Sequence, residues 1–262
     1  MYNFDYHKPA SLDQALALLG GEALALAGGQ TLIPTLKQRL AQPSALVDLS
    51  GIADLAGISA DGAAVTIGAM TRHADVAGSA DVKGAIPALA ALADGIGDAQ
   101  VRNRGTLGGS IANNDPAADY PAAVVGLGAT VHTNQRTISG DDFFTGMFET
   151  ALNEGELITK VSFPVPQAAA YAKFPNPASR YAMVGVFVAR TAGGVRVAVT
   201  GAAPAVFRVG AMEQALAGNF SADAIAGISV PADQMNSDIH GSAEYRAHLV
   251  GVMAGRAVAA AG

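Results

Sequence analysis

Apolar residues recur along the chain in two patterns: spacings of three and four residues, typical of a helix face, and short continuous runs, typical of buried strands. The first pattern predicts helices over residues 11–19, 32–42, 84–97, 117–127, 209–216, 222–228 and 244–260. The second predicts strands over residues 23–27, 45–50, 63–70, 156–166, 170–175, 181–190 and 195–204, and a hairpin over residues 129–139. Strands and helices alternate first, and longer strands followed by helices come last. We therefore predict an α+β protein with two α/β subdomains, 1–57 and 58–166, and a C-terminal α+β domain, 167–262.

Two local signals sharpen this pattern near the N-terminus. Ser11 and Gln14 have the spacing of a capping box, which favours a helix start at Ser11. Gly28 and Gly29 separate a predicted strand from a predicted helix, and Pro34 stands where the first turn of that helix accepts proline. The order strand, glycine turn, helix is therefore predicted for the first subdomain.

Composition indicates a folded chain and excludes some classes of function. Half of the 262 residues are hydrophobic and 15% are charged, a balance typical of a globular protein. The formal charge of −6, without any basic run, argues against a grip on nucleic-acid phosphates. No apolar stretch approaches the roughly 20 residues of a membrane span. The first residues lack the basic and apolar regions of a secretory signal, so we expect a cytoplasmic protein.

The cysteine and histidine content limits the available chemistry. Because the chain has no cysteine, it has no disulfide, no thiolate nucleophile and no cysteine ligand for an iron–sulfur cluster. Its five histidines show no spacing typical of metal ligands. We therefore predict no metal site on this chain, and any redox cofactor must be held without sulfur.

Two segments with paired glycines carry the clearest chemical signal. They are the first glycine motif, Ala27-Gly28-Gly29-Gln30-Thr31, and the second glycine motif, Thr106-Leu107-Gly108-Gly109-Ser110. Glycine lets the backbone approach a ligand, successive N–H groups can point into one concavity, and a nearby hydroxyl adds a donor. The motifs could clamp the two phosphates of a dinucleotide, or simply form tight turns in a chain with 31 glycines. Neither is a Rossmann or a Walker A motif.

The stretches around these motifs resemble a known family. AGGQTLIPTLKQRLAQPSALVDLS (27–50) and VRNRGTLGGSIANNDPAADYPAA (101–123) are similar to the medium, FAD-binding subunit of aerobic carbon monoxide dehydrogenase and related molybdenum hydroxylases of the xanthine dehydrogenase family. YAKFPNPASRYAMVGV (171–186) and SAEYRAHLVGVM (242–253) resemble its C-terminal domain. The resemblance implies a flavin-binding fold of the vanillyl-alcohol-oxidase (PCMH) type, in which two α/β subdomains hold FAD and a third domain covers the isoalloxazine.

The resemblance also implies which residues bind FAD. The diphosphate would lie against Leu26, Ala27, Gly28, Gly29, Gln30, Thr31, Leu32, Thr106, Leu107, Gly108, Gly109 and Ser110. Asp119 matches an acidic residue near the adenosine part. Positions beside the isoalloxazine are matched by Ile96, Ile158, Lys173 and Tyr181.

Other roles stay open for several of these residues. Asp119 also suits the N-terminus of a helix, Lys173 a solvated strand, and Tyr181 a core position with its hydroxyl at the surface. Arg102 and Arg104 flank the second glycine motif, where they could steady a phosphate or face solvent or a partner. No acid–base pair stands out, so no catalytic residue is predicted.

The resemblance implies an electron-transfer role. A large partner subunit with a molybdenum cofactor would oxidise the substrate, a small partner subunit would carry two [2Fe–2S] clusters, and FAD on this chain would pass electrons to an external acceptor. The complex would be a dimer of heterotrimers. Two alternatives stay open: a self-contained FAD-dependent oxidase or reductase of the same fold, and a non-catalytic FAD-binding scaffold.

Overall fold

The structure, a computed structural model, describes all 262 residues, and its N-terminal region is a small parallel sheet with two helices. The elements are β1 (Asp5–His7), α1 (Leu12–Leu18), β2 (Leu24–Leu26), α2 (Leu32–Lys37) and β3 (Ala45–Asp48), followed by 3-10 turns at Leu49–Gly51 and Ala53–Leu55. The strands are parallel in the order β1-β3-β2. The capping prediction is confirmed, because Ser11 Oγ accepts a hydrogen bond from the Gln14 N–H at 3.3 Å.

The middle region is a five-stranded antiparallel sheet covered by helices. Its elements are β4 (Ile58–Ala60), β5 (Ala64–Gly68), α3 (His73–Gly78), α4 (Ala80–Ala85), α5 (Pro87–Asp94), α6 (Ala99–Arg102), α7 (Leu107–Asn113), α8 (Tyr120–Gly126), β6 (Thr130–Thr133), β7 (Thr137–Ser139), α9 (Gly140–Phe143), β8 (Phe144–Gly146), β9 (Glu149–Thr150) and β10 (Ile158–Pro164). The strand order is β4-β5-β10-β6-β7, while β8 and β9 form a separate hairpin. Fully buried Tyr120, Phe143 and Phe163 lie in the core that this sheet shares with its helices.

The C-terminal region is a four-stranded antiparallel sheet with helices on one side. Its elements are β11 (Ala168–Pro175), β12 (Ala182–Thr191), β13 (Gly194–Thr200), β14 (Phe207–Arg208), α10 (Gly210–Gly218), α11 (Ala222–Ile225), a 3-10 turn (Ala232–Gln234) and α12 (Ala243–Ala261). The long helix α12 packs on β11 and β12 and buries an apolar face that includes Leu249, Val250 and Met253. No helix of the structure combines the length and the apolar character that crossing a membrane requires.

The C-terminal region packs firmly on the middle region. Phe187 on β12 belongs to the core of the middle region, and a Cβ at Gly126 would lie only 2.8 Å from its ring. Backbone hydrogen bonds also cross the junction: the Gly201 N–H donates to the Pro116 carbonyl at 2.8 Å. The space between the regions is therefore shaped by close backbone contacts.

Two of the differences from the sequence prediction have a local physical cause. The single helix predicted over residues 84–97 is broken at Ile86, whose backbone (φ −138°, ψ 71°) is not helical, because a residue before proline, here Pro87, avoids the helical conformation. The second glycine motif, predicted as a turn, begins helix α7 with Thr106 as its N-cap. Its glycines therefore occupy a first helical turn.

Candidate functional site

A cleft of about 1120 Å³ opens where the three regions meet. It exceeds the roughly 300–1,000 Å³ of ordinary small-molecule pockets, so it has room for a large cofactor. The structure brings most of the predicted site residues together on its walls: Ala27, Gly28, Gly29, Gln30, Thr31, Leu32, Ile96, Thr106, Gly109, Ser110, Asp119 and Tyr181. Leu26, Leu107, Gly108, Ile158 and Lys173 do not line it.

The first glycine motif presents unpaired backbone donors to the cleft. The N–H groups of Gly28, Gly29, Gln30, Thr31 and Leu32 have no hydrogen-bond acceptor within the protein. Thr31 precedes α2, and its side chain makes no capping hydrogen bond to that helix. A run of successive free N–H groups is the arrangement that binds phosphate oxygens in proteins.

The second glycine motif uses its backbone donors inside the protein. The Leu107 N–H donates to the Thr71 carbonyl at 3.0 Å, and the Gly108 N–H donates to the Ala69 carbonyl at 2.8 Å. The Gly109 N–H donates to Thr106 Oγ1 at 3.1 Å, which caps α7. The expected phosphate contacts of Leu107 and Gly108 are therefore not supplied by this geometry, since both residues are buried and their N–H groups are occupied.

The two motifs lie directly against each other. A Cβ added at Gly28 would overlap the Arg104 carbonyl oxygen, and one added at Gly109 would lie 3.3 Å from the Ala27 Cβ. A Cβ at Gly108 would come within 2.6 Å of the Ala69 Cβ. Glycine is required at Gly28 and at Gly108 because another backbone approaches each of them too closely for a side chain: residues 104–105 at Gly28 and Ala69 at Gly108.

Asp119, which lines the cleft, forms a buried polar group with Lys173 and Tyr171, which do not line it. Lys173 Nζ lies 2.9 Å from Asp119 Oδ1 and donates a hydrogen bond to the Gly95 carbonyl at 2.7 Å. The Tyr171 hydroxyl donates to Asp119 Oδ1 at 2.6 Å. Burial raises the pKa of the Asp119 carboxyl, and the Lys173 ammonium and the Tyr171 hydroxyl oppose that rise. Lys173 therefore reaches the site only through Asp119, its counter-ion, and is not a solvated strand residue.

Ile158 and Arg102 also lie differently from the expectation. Ile158 is buried in the core of the middle region, where β10 pairs with β6. The side chain of Arg102 turns inward, and its Nη1 donates to the carbonyls of Ile96 and Gly97 at 3.1 and 3.2 Å. Arg102 thus holds the segment that carries Ile96 to the cleft, whereas Arg104 is exposed.

His73 is a cleft residue that sequence reasoning did not single out. Its backbone N–H donates to the Gly105 carbonyl at 3.0 Å, and the centre of its ring lies 5.3 Å from that of Tyr120. Burial lowers the pKa of His73 to about 4, and Arg102 adds to the effect. Its Nδ1 has no partner. Nothing in the local sequence marks this position, because the contact to Gly105 depends on the tertiary fold.

The C-terminal region supplies the opposite wall. The Tyr181 hydroxyl accepts a hydrogen bond from Asn176 Nδ2 at 3.1 Å. The buried guanidinium of Arg246 donates to the carbonyls of Met183 and Gly201 and to Asp238 Oδ2, the last at 2.7 Å. Asp238 and Arg246 both line the cleft. The fixed charge on this wall is therefore balanced within the protein.

Comparison with known proteins identifies the class to which this fold and cleft belong. Residues 2–166 match the family model described as the FAD binding domain in molybdopterin dehydrogenase. Residues 169–261 match the CO dehydrogenase flavoprotein C-terminal domain. The chain therefore belongs to the family of FAD-binding subunits of molybdopterin dehydrogenases, and it is an FAD-binding oxidoreductase subunit of the carbon monoxide and xanthine dehydrogenase type.

Individual relatives cover almost the whole chain. The carbon monoxide dehydrogenase medium chain of Hydrogenophaga pseudoflava is 37% identical, over 98% of this chain and 96% of the relative. The nicotine 6-hydroxylase medium subunit of Paenarthrobacter nicotinovorans is 36% identical, over the same shares of both chains. A solved carbon monoxide dehydrogenase of Hydrogenophaga pseudoflava, which lacks the Mo-pyranopterin moiety of its cofactor, superposes with a TM-score of 0.90 at 38% identity, covering 99% of this chain and 97% of that chain. The fold predicted from the resemblance is thereby confirmed.

The residues present fit FAD. The free N–H groups of the first glycine motif supply donors for a diphosphate, and the glycines keep this stretch of backbone free of side chains. The cleft is large and mixed in character, as a dinucleotide with two ring systems requires.

Proposed function

We propose that this chain holds one FAD across the cleft and transfers electrons from the [2Fe–2S] clusters of a partner subunit to an external acceptor. The observation that carries the proposal is the run of unpaired N–H groups from Gly28 to Leu32 in a cleft with room for a dinucleotide. FAD, when bound, can take up electrons one at a time and release two, which suits a junction between one-electron clusters and a two-electron acceptor.

Different residues would bind different parts of FAD. The N–H groups at and after the first glycine motif would hold the diphosphate, with the Thr31 hydroxyl as a further donor. Thr106, Gly109 and Ser110 form the adjoining surface, and their backbone contacts set its shape. Asp119, Ile96 and Tyr181 would contact the remainder of the cofactor. Lys173 donates to the Gly95 carbonyl next to Ile96, and Ile158 belongs to the core against which Ile96 packs.

Two partner subunits complete the proposed complex. The relatives are named as a medium chain and a medium subunit, which supports a large subunit with the molybdenum cofactor and a small [2Fe–2S] subunit beside this chain. The absence of cysteine agrees with clusters on another chain. We further propose a dimer of heterotrimers, a cytoplasmic location, and the division of this chain into 1–57, 58–166 and 167–262.

Non-covalent FAD binding tests the proposal. The purified chain, reconstituted with FAD and desalted, should retain flavin, and denaturation in hot acid should release all of it into the supernatant. The reason is that every proposed contact with the cofactor is non-covalent and no cysteine is present for attachment. Failure to retain flavin, or flavin that stays with the precipitated protein, would contradict the proposal.

A further inference from the structure

The ring of His73 fills the space beside Gly105 that a side chain at that position would occupy. A Cβ added at Gly105 would lie 2.5 Å from His73 Nε2 and 2.8 Å from His73 Cδ2. The two backbones are joined as well, because the His73 N–H donates to the Gly105 carbonyl and the neighbouring residues Arg72 and Thr106 form an antiparallel bridge. Gly105 is therefore held by both the ring and the backbone of His73.

Gly105 in turn lies against the first glycine motif. A Cβ added at Gly28 would overlap the Arg104 carbonyl oxygen and lie 2.8 Å from the Gly105 Cα. Gly28 itself neither donates nor accepts a backbone hydrogen bond within the protein. Its position therefore depends on packing against residues 104–105. The free N–H groups of residues 28–32 begin at this contact.

The surroundings of His73 are unfavourable for a histidine. The residue is 4% exposed, and its ring packs against the ring of Tyr120. Neither His73 Nδ1 nor the Tyr120 hydroxyl has a hydrogen-bond partner within the protein. Buried polar atoms without partners destabilise a fold, and an apolar side chain would avoid this loss. Core stability alone therefore does not explain a histidine here, and a local rule broken in this way is typical of a functional site.

We propose that His73 is a positioning residue for FAD: its ring holds Gly105, Gly105 holds Gly28, and the free N–H groups that follow are thereby kept in place for the diphosphate. The inference rests on the proposed function, which assigns those N–H groups to FAD. Close-packed groups transmit small displacements to their neighbours. Loss of the ring should therefore move the first glycine motif, although His73 belongs to a different region of the chain.

Backbone amide signals of the FAD-free chain test this contact without the cofactor. In nitrogen–proton correlation NMR spectra, His73→Ala should shift the signals of Gly28 and Gly29. Val76→Ala is the matched control, because Val76 lies on the same helix, α3, and is fully buried. The atoms nearest to a Cβ at Gly105 belong to His73 and Val101 and not to Val76. Val76→Ala should therefore leave the signals of Gly28 and Gly29 in place.

FAD affinity tests the consequence for binding. Titration calorimetry should show that His73→Ala binds FAD roughly 10- to 100-fold more weakly, the order seen when groups that orient the ligands of a bound metal are removed. Val76→Ala should bind FAD as the unaltered chain does, although both changes truncate a buried side chain. If His73→Ala does not fold, His73→Gln, which also lacks the ring, takes its place with the same expectation.

His73→Phe separates positioning from direct contact with FAD, since His73 itself lines the cleft. Phenylalanine keeps a ring against Gly105 and has no side-chain hydrogen-bonding group, so it should restore most of the affinity that His73→Ala loses. Weak FAD binding by His73→Phe, with the signals of Gly28 and Gly29 as in the unaltered chain, would make His73 a direct ligand and overturn the positioning role.

The outcomes separate this inference from the proposed function. If the unaltered chain retains FAD and His73→Ala binds it as tightly as Val76→Ala does, the positioning role is wrong while FAD binding stands. Unchanged Gly28 and Gly29 signals in His73→Ala would also overturn it. An unaltered chain that retains no FAD contradicts the proposed function itself.

Discussion

The two glycine motifs look alike in sequence and differ in what their backbones do. The first glycine motif leaves the N–H groups of residues 28–32 without acceptors, whereas the second uses those of Leu107, Gly108 and Gly109 for internal hydrogen bonds. The first is therefore a set of ligand donors. The second is a packed helix start against which the first lies. Paired glycines beside a hydroxyl thus indicate close approach of a backbone, and only the hydrogen-bond partners decide whether a ligand or the protein is approached.

The largest expected effect is on the stability of the second motif. Gly108→Val should lower the free energy of unfolding by about 3 kcal/mol or more, because its side chain would overlap the buried Ala69. Gly255→Val is the control: it lies in α12 with open space around it, and its stability should change by less than about 1 kcal/mol. Urea unfolding of the apo chain measures both. Equal stability of the two variants would mean that Gly108 is not a packing position.

Lowering the pH should reduce the stability of the folded chain by a comparable amount, because it protonates His73, which contacts Gly105. Because burial lowers the pKa of His73 to about 4 in the folded chain, the unfolded chain takes up the proton first as the pH falls. The contribution of His73 to stability is present above about pH 6.5 and is lost between about 6.5 and 4, by roughly 3 kcal/mol. The free energy of unfolding, measured with urea at several pH values across this range, should fall less steeply with decreasing pH for His73→Gln than for the unaltered chain. Parallel slopes for the two chains would exclude a buried neutral His73.

An intermediate effect is expected at the first glycine motif, where a change of charge should lower FAD affinity without altering the stability of the apo chain. Gln30→Glu places a carboxylate beside the free N–H groups, so FAD affinity should fall by roughly 10- to 100-fold through repulsion of the diphosphate. The apo chain should unfold as before, because Gln30 is exposed. Gln38→Glu, at the other end of α2, should bind FAD normally. Titration calorimetry decides the matter, and wild-type affinity for Gln30→Glu would place the diphosphate elsewhere.

The smallest effect is expected at two threonines that each precede a helix, Thr31 before α2 and Thr106 before α7. Thr106 caps α7 through its hydroxyl, so Thr106→Ala should lower the stability of the apo chain by about 1 kcal/mol and Thr106→Ser should restore it. Thr31 makes no such hydrogen bond, so Thr31→Ala should weaken FAD binding and leave apo stability unchanged. Thermal unfolding with and without FAD distinguishes the two. If Thr31→Ala and Thr106→Ala changed apo stability and FAD binding in the same way, the first motif would not be a ligand site distinct from the packed second motif.

The fold was largely predictable because periodicity and start signals are local. Ser11 begins its helix as predicted, and the long strands of the C-terminal region were expected from their apolar runs. Helix α7 was missed because Gly108 and Gly109 have low helix propensity, although Thr106 at its start is a favourable N-cap. In this case tertiary hydrogen bonds to the middle region outweigh propensity.

The cleft was predictable in outline, since most of the predicted site residues line it. Both glycine motifs meet in one cleft, as a dinucleotide site requires. The positions of Ile158 and Lys173 depend on strand register and on which side of a sheet faces the cleft, which local sequence does not specify. Lys173 was expected beside the cofactor, and the structure places its ammonium group against Asp119, a residue of the cleft wall. A buried counter-ion of this kind is visible only once β11 is placed near Asp119, at the start of α8.

In the proposed function, the bound flavin is the only group on this chain that is oxidised or reduced. Anaerobic stopped-flow with the FAD-loaded chain alone tests it most directly. Dithionite should bleach the flavin absorbance, while carbon monoxide, aldehydes, purines and nicotine should leave it unchanged until the molybdenum and iron–sulfur subunits are added. Bleaching of the isolated chain by any of those substrates at a catalytic rate would contradict the account, because substrate oxidation would then occur on this chain.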